Sequence, residues 1–267
     1  MPGAGVRALA AAVHDPPMEQ HIYELVDTLA ETYWRYRARH EAFAWLWNRH
    51  RHPQAQYRVL DVGCGTGGLL SYLARRVPMR AVGVDLFAGT LPYCWRRGID
   101  AVGVADATAL PFGAAAFDFV VTQDVVEHIA DDHAALREIA RVCAPGGLVL
   151  ALVPAFQFLW SARDVELNHF RRYTIGQLAQ VVEQSGLVVL HRTYMDAWLL
   201  PLLWIAILTA PRKPNGLTNL ASDAAPGQVS WLNHALLAVS RAEAAAANRF
   251  GLPFGVSAVV LARKPIT

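Results

Sequence analysis

The hydrophobic positions change period several times along the chain, and those changes outline its elements. From His21 to Arg51 the apolar residues Ile22, Leu25, Val26, Leu29, Tyr33, Tyr36, Phe43, Leu46 and Trp47 recur at three- and four-residue intervals, which predicts a helical stretch. Short apolar runs then alternate with helical patterns. YRVLDV (57–62), MRAVGVD (79–85), AVGV (101–104), FDFVVT (117–122) and GLVLALV (147–153) read as strands. Between them, Gly68 to Val77, Gly89 to Arg97 and Asp132 to Val142 read as helices. Continuous apolar strands separated by helices belong to a parallel sheet buried on both faces. The alternation itself predicts an open α/β sheet.

The second half has a different texture. Thr174 to Ser185 reads as a helix ended by Gly186, and LVVLHRTY (187–194) as a strand. AWLLPLLWIAIL (197–208) is apolar on all sides and interrupted by Pro201. A polar loop (211–228), a long helix from Ser230 to Phe250 and a strand GVSAVVLARK (255–264) follow. The expected organisation is a tail over 1–20 and one domain over 21–267, with a helical cap inserted over 196–252.

Composition narrows the class. Charged residues make up 17% of the 267, against about 25% in an average soluble chain, and hydrophobic residues 54%. Mean hydropathy is +0.23. Disorder driven by charge and low hydrophobicity is excluded. Lys and Arg number 24 and Asp and Glu 22, a net charge of +2. That balance argues against a nucleic-acid partner held by a basic surface. Cys64, Cys94 and Cys143 are too few and too scattered for a disulfide framework or a CxxC metal site. The N-terminus lacks a long apolar core, which argues against a signal peptide. No apolar run reaches the ~20 residues that span a bilayer. The expectation is a cytoplasmic protein.

The strongest chemical signal is VLDVGCGTGGLL (59–70). An acid closes a buried strand, the backbone turns on glycines, and a helix begins. Gly63 and Gly65 let the backbone approach a ligand closely, and this edge of an α/β sheet is where ligands bind. Gly63, Gly65 and Gly68 also satisfy GxGxxG, so a nicotinamide or flavin enzyme is a rival reading. Asp61 weighs against it: a carboxylate there suits a cationic amine and repels a pyrophosphate.

The run hhDhGCGTG resembles motif I of the class I S-adenosylmethionine (SAM) methyltransferases. That resemblance covers residues 31 to 194 and implies a Rossmann-like, doubly wound α/β sheet of seven strands, the last antiparallel, with an N-terminal helix and a late helical insertion. It implies SAM as cofactor and S-adenosylhomocysteine as product. Asp85, ending VGVDLF beside Leu86, matches the acid that binds both ribose hydroxyls, a job a carboxylate does by accepting two hydrogen bonds. Asp106 and Ala107 in VADATALPF match positions against the adenine, although Asp106 also suits a turn cap. Cys64 lies in the glycine turn as a packing residue. Gln123 falls on the methionine side, and Arg39 in YWRYRARHE matches an arginine reaching the cofactor carboxylate.

Two further clusters carry chemistry. Asp124-x-x-Glu127-His128 resembles a metal-ligand trio of ubiquinone-biosynthesis O-methyltransferases, whose first position is usually glutamate; the alternative is a loop brace, and no metal is expected. DxxxxHxRRYT (164–174) resembles a block after the fifth strand in bacterial methyltransferases acting on small or lipid-like molecules. There His169, like His128, is a candidate general base because imidazole titrates near neutrality. Arg171 and Arg172 are candidates for a substrate carboxylate or phosphate, with Tyr173 beside them; the alternative pairs Arg172 with Asp164 over a packed tyrosine. The apolar segment 197–208, with Trp198 as a candidate substrate contact, reads as a core helix, a lid over an apolar acceptor or a peripheral membrane contact. The whole implies methyl transfer to a small, apolar acceptor, with a non-catalytic SAM-binding scaffold as the non-enzymatic alternative. Oligomeric state is open.

Overall fold

In the computed structural model, residues 20–209 and 230–266 are described. Helices α1 (Gln20–Thr32) and α2 (Trp34–His50) precede β1 (Tyr57–Val62), α3 (Gly68–Ala74), β2 (Met79–Asp85), α4 (Leu91–Arg96) and β3 (Val102–Val104). Then come β4 (Phe117–Gln123), α5 (Asp132–Val142), β5 (Cys143–Pro154), α6 (Ala162–Glu166), α7 (Ile175–Gln184) and β6 (Val188–Met195). The chain closes with α8 (Leu200–Thr209), α9 (Ser230–Phe250) and β7 (Ser257–Arg263). The loop expected at 211–228 and the tail at 1–19 lie outside the described residues.

The seven strands form one sheet in the order β3-β2-β1-β4-β5-β7-β6. The first five are mutually parallel; β7 runs antiparallel between β5 and β6. This is the expected Rossmann-like sheet with its last strand reversed. An all-parallel sheet in the 3-2-1-4-5-6 order of dinucleotide enzymes has no such strand.

Strand alternation sends successive residues to opposite faces. In β5, Leu148, Leu150 and Leu152 join one core with Phe43, Leu46 and Trp47 of α2 and Ala244 of α9. Val149, Ala151 and Val153 join the other with Leu136 and Ile139 of α5 and Leu178 and Val182 of α7. Both faces are therefore covered, which is why these strands read as unbroken apolar runs.

Two expectations are corrected. The helical stretch over 21–51 is two helices, because Tyr33 takes an extended conformation (φ −75°, ψ 129°); the apolar period is the same on both sides, so the sequence pattern hides the bend. Segment 197–208 is not a core helix. Leu202, Trp204 and Ile205 are each more than half exposed. Pro201 does not interrupt it either, since it lies in the first turn of α8, where the missing N–H has no intrahelical partner to lose. The long helix α9 packs on α2, with Leu237, Ala244 and Ala247 buried and Arg241 paired to Glu41 through two hydrogen bonds of 2.6 Å.

Candidate active site

β1 has β2 on one side and β4 on the other, so the connections leave it in opposite directions, and the carboxyl ends of β1 and β4 form the switch point at which open α/β sheets bind ligands. The glycine turn lies at that edge. Gly63, Gly65 and Gly67 have φ of 75°, 50° and 77°, a region that side chains resist. A Cβ on Gly63 would come within 2.1 Å of Val125 Cγ2, so the turn after β1 touches the loop after β4 only because no side chain intervenes.

Asp85 organises the turn. Its Oδ2 accepts the N–H of Gly65 at 2.8 Å, and its Oδ1 accepts the N–H of Phe87 at 3.0 Å. Each carboxylate oxygen has further accepting capacity. Asp61 is buried and has no hydrogen-bond or ion-pair partner among the described residues. Burial, helped by the nearby charge of Asp85, pushes its carboxyl up to about 7. Leu86 is half exposed, Cys64 is buried, and Tyr23 of α1 stacks on Phe87 with ring centroids 5.1 Å apart. Tyr23 was not anticipated; its only sequence signal was membership of an amphipathic helix. Asp106 Oδ1 accepts the backbone N–H and hydroxyl of Thr108 at 2.8 and 2.7 Å, the turn-capping geometry, while Ala107 is buried next to it.

At the end of β4, Gln123 Oε1 is buried without a partner. Arg39 reaches this edge but is committed to the protein: Nη1 donates to Asp124 at 3.0 Å, and Nη2 to Ser257 at 2.7 Å and Asp196 at 3.4 Å. Only its Nε is left without a partner. Asp124 and Asp196 both have left-handed backbones (φ 54° and 60°), a conformation aspartate tolerates better than most residues.

With Asp124 held by Arg39, the side chains that converge are Glu127, His128 and His169. One ligand atom from each lies within 4.8 Å of the others, a spacing that admits a cation or a single shared polar atom. The His128 and His169 rings meet edge to face at 4.5 Å. Glu127 is fully buried and neither of its oxygens has a partner among the described residues. Burial, and then the charge of Asp124, push its carboxyl well above the ordinary range. Burial and the neighbouring His169 lower His128. Neither Glu127's isolation nor its meeting with His169 was legible in the sequence, where the two are 42 residues apart.

The 164–174 block forms a closed network. Asp164 accepts His169 Nδ1 at 2.8 Å, Arg172 Nε and Nη2 at 2.7 and 3.0 Å, and the Ser161 N–H at 2.8 Å. Burial alone would raise Asp164, but the hydrogen bonds from His169 and Arg172 outweigh it and hold the carboxyl far below its usual range. Arg171 pairs with Asp132 at 2.8 Å and donates to the Ala130 carbonyl. Tyr173 is buried and donates its hydroxyl to Asp132 at 2.8 Å. The expected fork for a substrate anion is therefore occupied: Arg171, Arg172 and Tyr173 bind the protein itself. Trp198 packs on Trp34, ring centroids 5.3 Å apart, and its indole Nε1 is buried without a partner.

The glycine turn and the acidic strand ends thus meet at one edge of an α/β sheet with a reversed seventh strand. Residues 60–151 match the methyltransferase domain family. The ubiquinone biosynthesis O-methyltransferase of Caulobacter sp. (strain K31) is 39% identical over 107 residues, 38% of this chain and 42% of that protein. A probable S-adenosylmethionine-dependent methyltransferase of Mycolicibacterium smegmatis is 32% identical over 166 residues, 60% of this chain and 61% of that protein. The chain thus matches about half the length of these curated relatives. Among solved structures, the cyclase SpnF superposes with a TM-score of 0.56 at 19% identity, over 93% of this chain and 96% of that one, a likeness of fold alone. Residues 60–151 thus carry the methyltransferase domain of this family.

Proposed function

We propose that this protein binds SAM at the β1/β4 switch point and transfers its methyl group to a small, apolar acceptor, releasing S-adenosylhomocysteine. The observation that supports this most is the register of Asp61 and Asp85 around the glycine turn, with Asp61 unpartnered. Asp61 receives the cationic amine of the methionine moiety, and Asp85 the ribose hydroxyls. Gly63, Cys64 and Gly65 supply the close backbone approach. Leu86, Asp106 and Ala107 flank the adenine, the free Oδ2 of Asp106 facing its amino group. Gln123, and Arg39 through its remaining N–H, close the methionine end.

The bound sulfonium supplies a methyl group already activated for displacement, so the protein's main task is to align the acceptor behind it. His169 and His128 are the groups that take a proton where the acceptor carries one. Trp198 and α8 stand at the acceptor side and favour apolar molecules. No described helix is long and apolar enough to cross a membrane; the exposed face of α8 suits a peripheral contact at most.

Calorimetry tests the reading: SAM and S-adenosylhomocysteine should bind, and NAD(H) and NADP(H) should not. Nicotinamide binding without SAM binding would overturn it.

A further inference from the structure

Away from the ligand edge of the sheet, a cavity of about 200 Å³ lies between α2 and α3, with α1 over one end. Asp61, Asp85 and Gln123 do not line it, so it is distinct from the cofactor site proposed above. Ala30 of α1 closes the end nearest the glycine turn: a Cβ on Gly68 would stand 2.9 Å from the Ala30 Cβ. From there the wall follows α3 past Tyr72 to Arg75 and Arg76, roughly two helical turns further on.

The charges around this cavity do not cancel. Its two acids are already answered: Glu41 accepts two 2.6 Å hydrogen bonds from Arg241, and Glu31 faces Arg75 at 3.6 Å and Arg97 at 3.8 Å. Arg37 and Arg76 also line the cavity, and neither guanidinium has a carboxylate partner among the described residues. Arg37 makes no side-chain hydrogen bond to them either. Arg76 donates once, to the Tyr72 carbonyl at 2.9 Å, and lies over the Tyr72 ring 3.6 Å from its centroid, so most of its donors are unused.

The inner wall carries His40. The residue is 4% exposed, its ring packs beside Tyr72 with centroids 5.5 Å apart, and it has no hydrogen-bond partner among the described residues. Burial, and then the charges of Arg39, Arg75, Arg76 and Arg97, push it down to about 3. The ring is therefore neutral near pH 7 and offers one N–H donor and one acceptor. Buried polar groups in native proteins are normally bonded, so an unused imidazole beside two unpaired guanidinium groups calls for a partner.

We propose that this cavity binds a phosphate group, free or as the head of a phosphomonoester, with Arg37 and Arg76 supplying the charge and His40 an N–H from the inner wall. Arginine forks match the oxygens of a tetrahedral anion, and two unpaired cations match its charge of about −2. A monocarboxylate leaves one cation unanswered. A nucleotide is too large, because pockets for organic ligands of that size run to roughly 300–1,000 Å³. A metal cation is repelled by both guanidinium groups. The bound phosphate bridges α2 to α3, and its binding does not depend on the cofactor being SAM.

The test uses the full chain in phosphate-free buffer without SAM. By calorimetry, inorganic phosphate should bind at a single site, and it should raise the melting temperature because it binds only the folded state. Arg37→Gln should weaken that binding at least about tenfold, the scale of losing a hydrogen bond to a charged group. Arg49→Gln removes the same charge from the exposed far end of α2 and should leave the affinity within about twofold, since distant surface charges are screened. Sulfate should compete with phosphate, and acetate at the same concentration should not. Histidine ¹⁵N NMR of the wild-type chain needs no variant: the His40 signals should shift with the midpoint of the calorimetric isotherm. Glycerol 3-phosphate separates the two sources. Tighter binding than inorganic phosphate assigns the site to a phosphomonoester, and equal or weaker binding to the free anion. The proposal is overturned by absence of phosphate binding, by equal losses in Arg37→Gln and Arg49→Gln, by acetate binding as tight as phosphate, or by unmoved His40 signals.

Discussion

The backbone N–H of Gly65 donates to Asp85 Oδ2 at 2.8 Å, so the acid at the end of β2 holds the turn that follows β1. On the proposed reading, cofactor contact and loop geometry are tied to one side chain. Asp85→Ala should cost about 1.5–3 kcal/mol of SAM affinity, the scale of losing hydrogen bonds to a charged group. Calorimetry at neutral pH measures it; an unchanged affinity would remove Asp85 from the site.

Gly63→Ala should destabilise the fold itself. The added methyl meets Val125 at 2.1 Å, and the backbone is left-handed at φ 75°. Overpacking of this kind costs about 1–3 kcal/mol. Val125→Ala introduced with it should recover part of the loss in a thermal unfolding series, because the clash is with that side chain.

SAM binding should depend on pH through Asp61. Its carboxyl is raised to about 7 in the free protein, and pairing with an ammonium group would lower it. Above that value Asp61 is already ionised, so affinity should be flat. Below it, binding must release a proton, and affinity should fall by up to about tenfold per pH unit. For the free protein the sign is opposite. The folded state holds the proton more tightly than the unfolded one, so stability should fall as pH rises from about 4 through about 7, and Asp61→Asn should remove that slope. Calorimetry in buffers of different ionisation enthalpy counts the released proton.

The apolar helix α8 predicts a variant that folds. Leu203 is half-buried on a helix whose neighbours Leu202, Trp204 and Ile205 are exposed, so Leu203→Asp should fold with a modest loss of stability. SAM affinity should hold while transfer to apolar acceptors falls. If transfer is unchanged and only liposome binding is lost, α8 is a membrane contact and lines no pocket.

Chelation should leave the protein working. Asp124, the first position of the metal-like trio, is held by Arg39 at 3.0 Å and not by the group that Glu127 and His128 form with His169. EDTA should therefore change neither melting temperature nor methyl transfer; loss of transfer restored by magnesium or zinc would show an essential metal.

The sequence alone determined the sheet and the glycine turn, because both depend on local pattern. Strands buried on two faces must be continuously apolar, and β1 and β2 begin and end where the runs YRVLDV and MRAVGVD do. A backbone that turns sharply at a strand end needs glycines close together, so Gly63 and Gly65 stood out without any knowledge of their neighbours.

Tertiary structure decided the rest, and each case turned on a partner distant in the chain. Arg39 looked free for a ligand until Asp124, Asp196 and Ser257 closed around it. Arg172 suited an anion equally well as Asp164, and only the fold chose between them. The bend at Tyr33 left the apolar period intact, and the exposure of α8 depends on what packs nearby, which hydropathy does not record. Glu127 and His169 meet because two loops after β4 and β5 interlock. A carboxyl's isolation is a property of the space around it, and no residue pattern along the chain encodes that space.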